Sequence, residues 1–194
     1  MKKTLLALSL LVLGLTLAQP GPGAPTPPGP SPMPGQDGYM YRKAEKASKK
    51  LYRLQYELSY SQGPRSALAQ RLYQEAQRDY QIQRFFAAKE RAKAAREILE
   101  AQRLEAGLAP MGSKGWPGKV SYSAFYRAQE KIARVEAELA YYRTNNPLVG
   151  QLLEEAKRAL AEVNPDDFRA LLKGEAARKL ADAAHHLIKA DRGF

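Results

Sequence analysis

The chain has 194 residues, 26% of them charged, with 31 Lys and Arg against 20 Asp and Glu and a formal net charge of +11. It holds no cysteine, which excludes a disulfide framework, a thiolate zinc site and a lipid-bearing cysteine behind a leader. The residues from Tyr39 to the end are 156 of the 194, enough for a domain to bury about 70% of its unfolded surface and hold itself together by its core alone.

Residues 1–18, MKKTLLALSLLVLGLTLA, place Lys2 and Lys3 before an apolar run from Leu5 to Leu15, and close on the small residues Thr16 and Ala18. This is the layout of a secretory signal peptide. The apolar run is too short to span a bilayer. The expected location is the periplasm, the cell envelope or the medium, with no transmembrane span in the mature chain. Residues 19–38, QPGPGAPTPPGPSPMPGQDG, hold eight of the thirteen prolines. Proline fixes φ and removes a donor, so this segment reads as a disordered, partly polyproline II tether.

From residue 39 the apolar period is helical. Ala44, Ala47, Leu51, Leu54 and Leu58 step by three and four, marking a first helix over about 40–61 that Gly63-Pro64 ends. Phe85, Ala88, Ala92, Ala95 and Leu99 form a second stripe; Asp79 to Gln83 reads as a turn or as part of one continuous helix. Residues 39–107 make a first helical unit. Residues 108–119, LAPMGSKGWPGK, are a Gly/Pro linker carrying the sole tryptophan. Trp116 either pins the linker to the bundle or serves as an exposed anchor for a partner.

Residues 120–194 make a second helical unit. Phe125, Ala128, Ile132, Val135, Leu139 and Tyr142 mark its first helix. Asn146-Pro147 caps and opens the next, and Asn164-Pro165-Asp166-Asp167 repeats the device with two carboxylates in the first helical turn, where the helix dipole favours them. No stretch alternates with period two over strand length. The expected fold is all-α, about six helices in two three-helix units, as a bundle or a short tetratricopeptide-like array.

The halves look alike. Tyr41-Arg42 with Glu45-Lys46 matches Tyr126-Arg127 with Glu130-Lys131; Glu75-Ala76-Gln77-Arg78 matches Glu155-Ala156-Lys157-Arg158; Ala94-Ala95-Arg96 matches Ala176-Ala177-Arg178. The offsets drift between 80 and 85 residues, consistent with a tandem duplication. The segments EAQRDYQIQRFFAAKERAKAAREIL and EAKRALAEVNPDDFRALLKGEAARKLADAA resemble the Ala-rich helical hairpins of tetratricopeptide-like bacterial envelope proteins. That resemblance implies a non-catalytic scaffold that binds partners across a helical surface.

Charge is unevenly placed. Residues 40–107 carry 15 Lys/Arg against 8 Asp/Glu, and residues 119–194 carry 13 against 11. A basic half suits an anionic partner or forms the solvated faces of helices. On the first helix, Tyr52, Tyr56 and Tyr60 recur at i, i+4 and i+8, roughly 100–180° round from Leu51, with Arg42, Lys46, Lys49 and Arg53 near them. Aromatic planes among cations suit stacking on bases or sugars with neutralisation of an anionic polymer. The other reading is a second packing face on a helix buried from two sides.

Asp182, His185 and His186 are too few and too divergent for a metal site; the histidines read as cations near a helix C-terminus. Glu154 and Arg158 read as a surface pair at i, i+4. The serines at 59, 61, 66, 113, 121 and 123 fall where turns and caps use them, and no catalytic or nucleotide-binding motif occurs. No enzyme activity, cofactor or metal is expected. The expected function is an exported envelope scaffold or adaptor that binds another protein. The alternative is a binder of DNA or acidic wall glycan through the first helix, and self-association is open to either. Few asparagines, no cysteine and dense Arg/Glu/Ala helices suggest a heat-tolerant protein.

Overall fold

The computed structural model describes residues 38–107, 123–164 and 167–193. Residues 1–18, expected to be a signal peptide, residues 19–37 of the expected tether and the 108–119 linker with Trp116 lie outside the described residues. Six helices and no strand occur among the described residues: α1 Gly38–Ser59, α2 Ser66–Gln81, α3 Phe85–Glu105, α4 Ser123–Tyr142, α5 Pro147–Ala161 and α6 Phe168–Arg192. The all-α fold follows from the apolar stripes, and Gly38, placed in the tether by composition, begins α1.

Local chemistry sets the breaks. Between α1 and α2, Gly63 has φ +147°, and a Cβ there would lie 2.6 Å from the side-chain carbon of Gln102. Gln102 of α3 clamps this turn, donating to the Gln62 carbonyl at 3.1 Å and accepting from the Arg65 N–H at 2.8 Å. Helices α2 and α3 are separate. The Arg84 N–H reaches the Asp79 carbonyl at 2.8 Å, the Gln83 N–H reaches that of Tyr80 at 3.0 Å, and Gln83 takes φ +61°. This is a Schellman stop built without glycine. Asn146 caps α5 by accepting from the Leu148 N–H at 3.1 Å, with Pro147 in the first turn. At α6 the expectation needs correction. The Asp167 carbonyl accepts from the Leu171 N–H, so Asp167 precedes the first turn instead of sitting in it. Asp166 lies outside the described residues.

The largest interface joins α3 to α6. The two run antiparallel: Glu90 near the start of α3 meets His186 near the end of α6, and Lys179 reaches both Glu97 and Glu100, at 2.8 and 3.0 Å. Both helices are buried nearly all round. Ala92, Ala94, Ala95 and Ala101 of α3 and Ala176, Ala177, Ala181, Ala183 and Ala184 of α6 are fully buried, and small side chains let helix axes come close. Helices α1 and α2 pack on α3, and α4 and α5 pack on α6; α3 and α4 make no contact. The helices therefore form a bundle around a central pair and not a consecutive stack. One apolar core runs from Leu51 to Ile188 through all six.

The two halves bury corresponding positions. Buried Ala69, Leu72, Tyr73 and Ala76 of α2 coincide with Val149, Leu152, Leu153 and Ala156 of α5, 80 residues on. Ala94, Ala95, Ile98, Leu99 and Ala101 of α3 coincide with Ala176, Ala177, Leu180, Ala181 and Ala183 of α6, 82 residues on. In the first helices, Ala47, Leu51 and Leu54 coincide with Ala128, Ile132 and Val135 at 81. The match of Tyr41-Arg42 to Tyr126-Arg127, at 85, is thus displaced by about one turn from the register the core uses.

Candidate anionic-polymer interface on the first helix

Helix α1 is a flank helix. Ala44, Ala47, Leu51 and Leu54 are buried against α3 and α2, with Glu57 beside them; Lys43, Lys50 and Leu58 are half-buried at the edges, and the rest of the helix turns to solvent. Glu57 is only 3% exposed, and its Oε1 takes the Arg96 guanidinium of α3 at 2.9 Å from inside. Arg53, the second cation on the same oxygen, lies further off at 3.3 Å and is 56% exposed. Glu57 therefore keeps a buried partner whatever Arg53 does.

All seven residues read from the sequence as one face are exposed: Arg42, Lys46, Lys49, Tyr52, Arg53, Tyr56 and Tyr60. Tyr52, Tyr56 and Tyr60 expose 68, 55 and 67% of their surface. The alternative of a second packing face is overturned. The helices covered on several sides are α3 and α6, and nothing among the described residues packs over the outer side of α1. Tyr56 and Tyr60 stack edge to face, 4.8 Å between centroids. The hydrogen bond with Tyr60 holds the Tyr56 phenol above its usual pKa, so it stays neutral. Tyr41, 58% exposed, and Glu45 belong to the same face. Their helical angles fall beside those of Tyr52 and Tyr56, and this shared angle is the signal by which the sequence marks them as part of the face.

The cations differ in how they are held. Lys49 binds Glu45 at 2.6 Å in an exposed i, i+4 pair; this hydrogen bond lowers the carboxyl pKa and raises that of the ammonium. The Arg42 Nε–H donates to the Gly38 carbonyl at 3.2 Å. Lys43 lies 4.2 Å over the ring of Tyr39. Exposed pairs of this kind are weakened by water and salt, so an arriving anion can displace them.

The other candidates resolve into structure. His185 and His186 do not lie at the end of the helix. They sit more than a turn before the end of α6, each on a carboxylate of another helix: His185 Nδ1 on Glu138 of α4 at 2.5 Å, His186 Nδ1 on Glu90 of α3 at 2.7 Å. Asp182 holds Lys131 and Arg178, both at 2.8 Å, and neither histidine. Among the described residues no group of three His, Cys, Asp or Glu residues is placed to hold a metal ion. Glu154 pairs with Lys157 at 2.8 Å, and Arg158 donates to the Glu154 carbonyl instead. A groove of about 600 Å³ between α4 and α5 is lined by Phe125, Ile132, Leu160 and Val163, with the Glu136–Lys157 pair, 2.5 Å apart, at its rim.

No protein-family profile, curated protein or solved structure matches the chain. No helix among the described residues is long and apolar enough to cross a membrane.

Proposed function

We propose that this is an exported, non-catalytic helical binding protein of the cell envelope, and that the outer face of α1 takes an anionic polymer. The observation that carries the reading is the exposure of Tyr52, Tyr56 and Tyr60 beside Arg42, Lys46, Lys49 and Arg53. Exposed aromatic rings contribute nothing to a core, while rings and cations on one helix face are the elements from which polyanion sites are made. The leader-like residues 1–18 support export, and the Pro-rich segment after them supports a spacer between that end and the bundle.

Salt dependence tests the proposal. Binding that neutralises several anionic groups loses about a decade or more of affinity between 50 and 200 mM salt, as counterion release requires. The competing reading is an adaptor, single or self-associated, that docks an envelope protein through its helical faces. An interaction that survives high salt, captured by crosslinking in the native envelope and indifferent to nuclease, would favour it over the polymer.

A further inference from the structure

We infer that the polymer is a single-stranded nucleic acid, its bases stacked on the tyrosines and its phosphates on the neighbouring cations; this rests on the polymer-binding reading above. At about 100° per residue, Tyr41, Tyr52 and Tyr56 centre roughly 110° round the helix from Leu51, while Tyr60, just past the last residue of α1, falls near 180° at the end of the cation stripe. Arg42, Lys46, Lys49 and Arg53 centre roughly 190° round, so rings and cations form two parallel stripes. At the outer radius of a helix, about 5–6 Å, the stripes lie roughly 7 Å apart. A partner matched to this face carries its charges along one line and its flat rings along another. In a polynucleotide the sugar holds the bases off the phosphate line. In an acidic glycan the carboxylate is borne on the sugar ring itself, and charge and ring fall on one line.

The spacing along the helix selects the strand state. Tyr52 and Tyr56 are four residues apart, about 6 Å along the axis, well beyond the ~3.4 Å rise of stacked bases in a duplex strand. Bases that meet these rings must be unstacked, and their faces must be free. A duplex offers neither. One acidic group stands on the face: Glu45, between the rings and Lys49. It engages Lys49 in the absence of ligand and gives way when a phosphate takes its place.

The second half provides an internal control. Lys49, Tyr52 and Tyr56 correspond in the core register to Glu130, Ala133 and Ala137 of α4, all exposed. Lys46, Arg53 and Tyr60 do have exposed counterparts there, Arg127, Arg134 and Tyr141, so among the described residues it is the Lys49, Tyr52 and Tyr56 set that belongs to α1 and not to α4.

The test uses the purified secreted chain and fluorescence anisotropy at low salt, with four probes: a labelled twelve-nucleotide oligothymidylate, an abasic oligomer with the same number of phosphates, a twelve-base-pair duplex and polygalacturonate. The expected result is oligothymidylate bound at least about tenfold more tightly than each of the others. Tyr52→Ala with Tyr56→Ala should remove that advantage, about tenfold or more per ring, and leave the abasic oligomer bound as before. Glu45→Gln should tighten oligothymidylate binding two- to threefold. Equal binding of oligothymidylate and the abasic oligomer, or tighter binding of the duplex or polygalacturonate, overturns this inference and leaves the polymer reading standing. Failure to bind any of the four overturns the polymer reading and this inference with it. A circular dichroism spectrum and melting curve like those of the parent show that the variants are folded.

Discussion

In α1 and α4 the inward residues correspond position for position, Ala47, Leu51 and Leu54 to Ala128, Ile132 and Val135. The outward ones correspond only in part: Lys46, Arg53 and Tyr60 have Arg127, Arg134 and Tyr141 as counterparts, while Lys49, Tyr52 and Tyr56 stand where the second half has Glu130, Ala133 and Ala137. The two helices hold equivalent places, each flanking one member of the central α3–α6 pair. Packing therefore explains the inward residues they share and leaves the outward differences unexplained. Alanine at 133 and 137 shows that this place in the fold needs no aromatic ring, and large exposed rings bring no stability in return for their contact with water. A second difference lies at the inner edge. In the first half Tyr80 packs on Phe85, 5.2 Å between centroids, and both close over Ala44, Ala47 and Ala88. In the second, Leu160 at the position of Tyr80 is too small to do so and lines the open groove beside α4.

The largest effects should fall where the halves agree. Leu72→Ala in α2 and Leu152→Ala in α5 remove side chains that are each 1% exposed at matched positions, and each should cost about 2–5 kcal/mol. Because one core joins all six helices, denaturant should unfold both variants in a single transition. A large cost for one and none for the other, or two separate transitions, would break the equivalence of the halves.

Acid should separate the two sides of α6. Burial at the α4 side holds the His185 pKa below its usual value, with Lys131 and Lys189 acting the same way and the Glu138 hydrogen bond opposing them. The unfolded chain then takes up a proton near pH 6.5 that the folded chain resists, so stability falls as the pH drops below about 6.5. On the α3 side burial disfavours the charged form of Glu90, but hydrogen bonds from His186, Lys93 and Lys89 outweigh it and hold the carboxyl well below the usual range. Glu138, with burial outweighed by His185 and Arg134, is shifted the same way. Their stabilisation is present above the unfolded carboxylate value, about 4.3, and is lost as the pH falls below it. Melting temperature should drop in two stages, by a few degrees from pH 7 to 5 and more steeply below about 4.5. His185→Asn should flatten the first stage and weaken the Glu138 share of the second, leaving the Glu90 share in place. A melting temperature constant from pH 7 to 5 would contradict the assignment.

The smallest effects on stability belong to the outer face. Tyr52→Ala and Tyr56→Ala should each change unfolding free energy by no more than about 0.5 kcal/mol, the range of surface substitutions. Alanine is also the better helix former. A loss of 2 kcal/mol would mean that the rings pack after all.

The helices were legible because Ala and Leu recur every three or four residues in each of them. The α5 start was legible because Asn146 and Pro147 are the residues a helix start uses. The α2–α3 break was left open, because the turn puts Gln83 in the left-handed region that glycine usually takes. Three buried acids, Glu57, Asp79 and Glu90, escaped an apolar pattern altogether. Their partners Arg96, Arg91 and His186 lie 39, 12 and 96 residues away, and no local rule pairs them. The same distance effect hid the partners of the histidines. Helical angle put the tyrosines of α1 on one side, but which side a neighbour covers depends on which helices take the centre. Here α3 and α6 do, and the outer face of α1 is left to solvent.

One measurement bears most directly on the claim that the halves share a fold while one outer face binds. Lys49→Glu, Tyr52→Ala and Tyr56→Ala together give α1 the residues of α4 at the matched positions, and affinity for the oligothymidylate and melting temperature are read on the same sample. The account predicts at least a hundredfold loss of affinity with the melting temperature within about 3 °C of the parent. Undiminished binding, or a melting temperature lower by 10 °C or more, would contradict it.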